Sequence, residues 1–283
     1  MLEKPRTLTT IGIVQVILAA SFVIWLLFFP ATGGNFAWRV TPTFTAMFIG
    51  ASFLVRTYIG YFLWREKFWQ TLRWQSAGNL AFLIVIFLAT YWHIDEMNWK
   101  SNILIAHIWV LAYTIEPITL FLIEPRGQAA TAPLPPELRR GPILDGLKGV
   151  MLLGVIGSIT MVGLMFLNPQ FLDTRWPWQL DPFDARIMAA FFALTGTWCV
   201  VVYFSREWAE VRPIILGLMI FAIAHFGAWV VMLPQLDPTR NNTYTYGVVF
   251  GIVAVCLTYY FIRHELLYSK RTQTSEILES SKV

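Results

Sequence analysis

The chain has 283 residues, 57% of them hydrophobic and only 13% charged, with a mean hydropathy of +0.58. Soluble domains carry about a quarter charged residues, so this balance excludes an ordinary water-soluble fold. The net charge of +4 comes from scattered Lys and Arg that form no dense patch, which leaves no basis for a nucleic-acid partner.

A membrane-spanning helix needs about 20 apolar residues. Eight segments meet that length, at 8–29, 43–64, 73–92, 102–123, 146–167, 183–204, 211–232 and 245–263. The opening stretch MLEKPRTLTT is short and charged, and no A-x-A-like site precedes Pro30, so no cleaved signal peptide is expected. Pro30 closes the first span, and FAWRVTP at 36–42 leads into the second. Arg65-Glu66 marks the next turn, followed by Trp69 and Arg73. Residues 125–142, PRGQAATAPLPPELRRGP, read as an extended linker.

Beyond the linker the same punctuation returns. Pro169 closes the fifth span, WPWQLDP occupies 176–182, and Arg206-Glu207, Trp208 and Arg212 follow. Corresponding residues stay 139 to 141 apart. The pattern predicts an all-α membrane protein of eight transmembrane helices, made by tandem duplication of a four-helix unit. The repeats are expected at 1–124 and 143–263, with the linker between them and a polar tail at 264–283 that is flexible when alone.

Positive charge sets the orientation. Fifteen Lys and Arg fall on the side of the two termini, against five on the other: Arg39, Lys100, Arg175, Arg186 and Arg240. Both termini are therefore expected in the cytoplasm. Units with an even number of spans share one orientation, so their axis should lie along the membrane normal.

Tryptophan settles at the headgroup level, which makes Trp38, Trp176 and Trp178 expected interface anchors. Asp184 and Arg186 should cap the sixth span and meet headgroups, and His93 should be hydrated. Polar groups inside spans are costly and therefore informative. Arg56, Asn79 and Glu116 lie about seven or eight residues from the cytoplasmic ends of their helices, hence at one depth. An Arg56–Glu116 pair with the Asn79 amide beside it would keep both charges tolerable. Such a centre is either a structural pair fixing helix register or an ion or substrate site. The corresponding positions in the second half fall near Gly196, Leu218 and Thr258, all uncharged. His107 and His225 share a depth near the outer side, as axial ligands of a haem would. Cys199 and Cys256 fall inside apolar spans and read as packed thiols.

No Walker A loop, H-E-x-x-H, C-x-x-C or G-x-S-x-G motif is present, which disfavours an enzyme. The stretch WPWQLDPFDAR, with Trp178, Pro182 and Arg186, resembles a motif of bacterial multi-pass membrane proteins that have no assigned activity. It is degraded in the first half, where Ala46 stands opposite Arg186. The resemblance implies a bacterial inner membrane and the duplicated unit, but no reaction.

Three function classes follow. The first is a non-catalytic subunit of a larger membrane complex, with bound lipid and neighbouring subunits as partners, since a free polar tail would fray. The second is a transporter or channel using Arg56, Asn79 and Glu116. The third is a redox protein holding haem between His107 and His225.

Overall fold

The computed structural model describes residues 2–124, 132–135, 140–240 and 242–280, with side chains as far as residue 268. The described chain is all-α. Its long helices are α1 (Arg6–Val23, continued by a π turn, Ile24–Phe28), α2 (Thr43–Arg65), α3 (Trp69–Trp92) and α4 (Ile103–Ile123). After the linker come α5 (Asp145–Leu167), α6 (Pro182–Phe204), α7 (Trp208–Met232) and α8 (Thr243–Ser280). All eight are long and apolar enough to cross a membrane. Among the described residues β-structure is limited to three isolated bridges.

The helices form two layers. In α2, α3, α6 and α7, 44–72% of the apolar window is buried, against 17–33% in α1, α4, α5 and α8. The inner four pair crosswise: α2 packs on α7, and α3 on α6. Each inner helix carries one outer helix, α1 on α2, α4 on α3, α5 on α6 and α8 on α7. Lipid tails are as apolar as leucine, so small residues that admit close backbone contact drive this packing. A Cβ on Gly12 of α1 would lie 2.6 Å from the Trp64 amide nitrogen of α2. At the centre the Trp198 ring is held between Gly78 of α3 and Gly217 of α7, neither of which has room for a Cβ.

Helices α3 and α7 start several residues earlier than hydropathy predicts. Their polar first turns are covered by chain that binds them. Trp69 N donates to Leu2 O at 2.9 Å, and Trp208 N donates to Gly141 O at 2.9 Å. Helix α8 also runs on past residue 263, into the segment expected to be a flexible tail. Its next turn is packed on α7: His264 stacks on Trp208 with centroids 4.1 Å apart, and Glu265 accepts from Arg212 Nε and Trp208 Nε1, each at 2.9 Å. Of the predicted linker only 132–135 and 140–142 are described, and the rest of that expectation lies outside the described residues.

Candidate functional site

Arg56 and Glu116 meet inside the first four helices. Arg56 on α2 is 2% exposed, and its Nη2 donates to both carboxylate oxygens of Glu116 on α4 at 2.9 Å. The guanidinium lies 4.5 Å over the Phe82 ring of α3, and the Tyr113 hydroxyl adjoins it. Gln15 of α1 closes the other side by donating to the Arg56 carbonyl at 2.9 Å. Pro117 follows Glu116 within α4 and has no N–H for the Tyr113 carbonyl, adding polarity at this depth. Asn79 is fully buried, yet among the described residues neither the nitrogen nor the oxygen of its amide has a hydrogen-bond partner. The expected bridge from Asn79 to the ion pair is not formed. Sequence reasoning also passed over Gln15, although a glutamine within an apolar span was a visible signal.

The three tryptophans expected at the lipid interface are buried instead. Trp38 Nε1 donates to Asp184 Oδ1 at 2.7 Å, and Trp178 Nε1 donates to Thr45 Oγ1 at 2.9 Å. Each ring crosses to the first turn of the other half's second helix, so these residues join the halves. Trp176 packs on Trp178 with centroids 5.5 Å apart. Asp184 is therefore an interior acceptor with no access to headgroups. Arg186 also turns inward, donating to Phe166 O at 3.0 Å and meeting His93 Nε2 at 2.7 Å. His93 is buried and stacked on Phe183, which corrects its expected hydration.

The two candidate haem histidines are not brought together. His225 is fully buried on α7, stacked on Phe250 of α8. Its Nδ1 lies 2.7 Å from Phe221 O, and its Nε2 lies 3.0 Å from Ser52 Oγ of α2. A carbonyl only accepts, so Nδ1 carries a proton, and Nε2 faces the Ser52 hydroxyl, which also donates to Phe48 O at 2.9 Å. Both ring nitrogens are thus engaged. His107 is exposed on α4, with Nδ1 2.7 Å from Ile103 O and its ring edge-on to Trp99. Among the described residues no group of three or more His, Cys, Asp and Glu could hold a metal ion.

Among the last four helices lies an apolar cavity of about 660 Å³, open at one side. That volume falls within the roughly 300–1,000 Å³ of typical small-molecule sites. Its walls are α5 and α8, and its floor includes Cys199 of α6 and Leu218 of α7. It runs along α5 from Val150 to Leu164, about 20 Å at the helical rise. Arg175 and Trp176, from the loop before α6, line one end of it. Gly157 also lines it, and a Cβ there would meet no atom within 4 Å. The matching space in the first half is filled: Phe22, Phe36, Phe53 and Tyr113 surround Trp109 at centroid distances of 4.4–6.1 Å. Counting 140 residues on, Trp109 becomes Val249 and Tyr113 becomes Val253, and both valines line the cavity. No protein-family model, curated protein or solved structure matches the chain.

Proposed function

We propose that the chain is a tandem duplication of a four-helix unit, with both termini on the cytoplasmic side of a bacterial inner membrane. Paired features 139 or 140 residues apart support the duplication. They are the bonds from Trp69 to Leu2 and from Trp208 to Gly141, and the crossed bonds of Trp38 and Trp178. The crosswise pairing of α2 with α7 and α3 with α6 supports a two-fold relation between parallel units. The fifteen-to-five distribution of Lys and Arg supports the orientation. A single cysteine placed at residue 137 should react with a membrane-impermeant thiol reagent only in inverted vesicles. Reaction only in intact cells overturns the orientation.

In this reading the protein is a non-catalytic membrane subunit that holds an apolar membrane molecule in its second unit. The cavity between α5 and α8 carries the proposal, because its apolar, laterally open walls suit a molecule arriving from the bilayer. Native mass spectrometry of the protein in mild detergent should show a retained apolar molecule, lost in Val249→Trp, together with co-purifying membrane chains. Equal retention by wild type and Val249→Trp rules the cavity out as the site. Purification without partner chains rules out the subunit role.

A second reading, transport through the first unit, is favoured by the unpartnered Asn79 amide near a buried ion pair. It requires that Arg56→Met with Glu116→Met folds normally but abolishes flux in proteoliposomes. A double variant that folds and leaves all flux unchanged removes it.

A further inference from the structure

We infer that the occupant of the second-unit cavity is a lipid with an anionic head, its hydrocarbon chain between α5 and α8 and its head at Arg175. This rests on the reading that the cavity holds an apolar membrane molecule. The cavity has one charged end. Among the described residues Arg175 is its single Lys, Arg, Asp or Glu, and the rest of that wall is apolar apart from a few neutral groups such as Ser158 and Thr195.

Arg175 is held in place but not neutralised. Its Nη1 donates to Phe171 O at 3.1 Å, its guanidinium lies 4.0 Å over the Phe171 ring, and it has no carboxylate partner among the described residues. Asn242 donates to the Arg175 carbonyl, and Arg240 donates to the carbonyls of Asp173 and Trp176 at 3.1 and 3.2 Å. The loop before α6 is thereby tied to the start of α8, which fixes the arginine at the mouth. Beside it, the Trp176 indole N–H is buried without an acceptor among the described residues. A phosphate at the mouth offers acceptors to both groups, and arginine binds phosphate with charge-assisted bonds.

The dimensions agree with a chain. About 20 Å of cavity exceeds the roughly 15 Å depth of one leaflet, half the hydrocarbon core, so an extended hydrocarbon chain can lie along it. Gly157 leaves room for the chain on this wall: a Cβ there would meet no atom beyond its own helix within 4 Å, as at Gly149 and Gly163 of the same helix.

The test is lipid competition on the full chain in mild detergent, read by native mass spectrometry, using phosphatidylglycerol and phosphatidylcholine with identical acyl chains. Both lipids offer the same phosphate oxygens, but the choline ammonium of phosphatidylcholine is repelled by Arg175, so wild type should retain phosphatidylglycerol about tenfold over phosphatidylcholine. Arg175→Gln should bring the two to parity, and Arg175→Lys should restore part of the preference. Val249→Trp and Gly157→Leu should lose both lipids while melting at the wild-type temperature. If the blocked variants lose both lipids but wild type shows no preference, or retains only an uncharged isoprenoid, the head assignment is overturned and the cavity reading survives. If Val249→Trp and Gly157→Leu fold and keep both lipids, the cavity reading falls as well.

Discussion

In the first four helices Trp109 and Tyr113 stand between α1 and α4; 140 residues on, Val249 and Val253 stand beside a cavity of about 660 Å³. The contrast extends to charge. The first unit buries Arg56 and Glu116 as a bonded pair, whereas the second has Gly196 at the place of Arg56 and Leu218, on the cavity floor, at the place of Asn79. The first four helices thus hold a filled interior with a polar centre, and the last four an apolar cavity. The lesson concerns where each unit draws its stability. In a membrane, burial of apolar surface adds little, and contacts and hydrogen bonds inside the protein carry the fold. The first unit is expected to be the rigid half, and the second the half with room for a ligand.

The severest way to break this comparison is to remove one partner of the ion pair. Glu116→Gln leaves the Arg56 charge buried, and breaking such a pair costs about 3–5 kcal/mol. Thermal unfolding in detergent should show a large loss, and Arg56→Met with Glu116→Met should recover most of it. If Glu116→Gln melts like wild type, the pair is not what stabilises the first unit.

The next test exchanges the aromatic filling. Trp109→Val empties the space among Phe22, Phe36, Trp38, Phe53 and Tyr113 and breaks the bond from its Nε1 to Thr90 Oγ1 at 3.0 Å. The expected cost is about 3 kcal/mol, at the low end for buried tryptophan because the transfer contribution is small in lipid. Val253→Tyr adds a ring to space that is already open and should cost under about 1.5 kcal/mol. Equal losses from the two changes would mean that the cavity is not free volume.

A smaller effect is expected at the joint between the units. Trp38→Phe keeps the ring packing but leaves the fully buried Asp184 without that donor, costing about 1–3 kcal/mol. Trp178→Phe deprives only the Thr45 hydroxyl, and about 1 kcal/mol is expected. If Trp178→Phe proves the more damaging, the two crossed bonds do not differ in the way their acceptors imply.

The sequence made some of this legible and hid the rest for identifiable reasons. Span number followed from run length, and the placement of Arg56 with Glu116 followed from depth, because 1.5 Å per residue converts position into height. Height carries no azimuth. It could not tell that Asn79 misses the pair or that His107 and His225 face different surroundings. The tryptophans were misjudged because a ring just outside a span can meet headgroups or fold back over the bundle, and the loops decide which. The cavity had a trace in the sequence, Val249 and Val253 against Trp109 and Tyr113, but a repeat signature read from loop residues did not reach it.

The finest test of the contrast uses one substitution in two places. Gly60 on α2 lies against α1, where a new Cβ would come within 2.9 Å of Gly12 O and Val16 N. Both contacts are backbone atoms, which cannot swing aside as a side chain can. Gly60→Ala should therefore push α1 away from α2 and cost about 1–3 kcal/mol, the usual penalty of overpacking. Gly157 on α5 meets nothing within 4 Å of the same position. There alanine adds no clash and removes the conformational freedom of glycine, a gain of about 0.5–1 kcal/mol in a helix. The melting temperature of Gly60→Ala should fall and that of Gly157→Ala should rise slightly in lipid-free detergent. With lipid present the gain at Gly157 should shrink, because the added methyl then meets the occupant. A loss at Gly157 in lipid-free detergent would show that the wall of α5 is closed by protein and that the two units are packed alike.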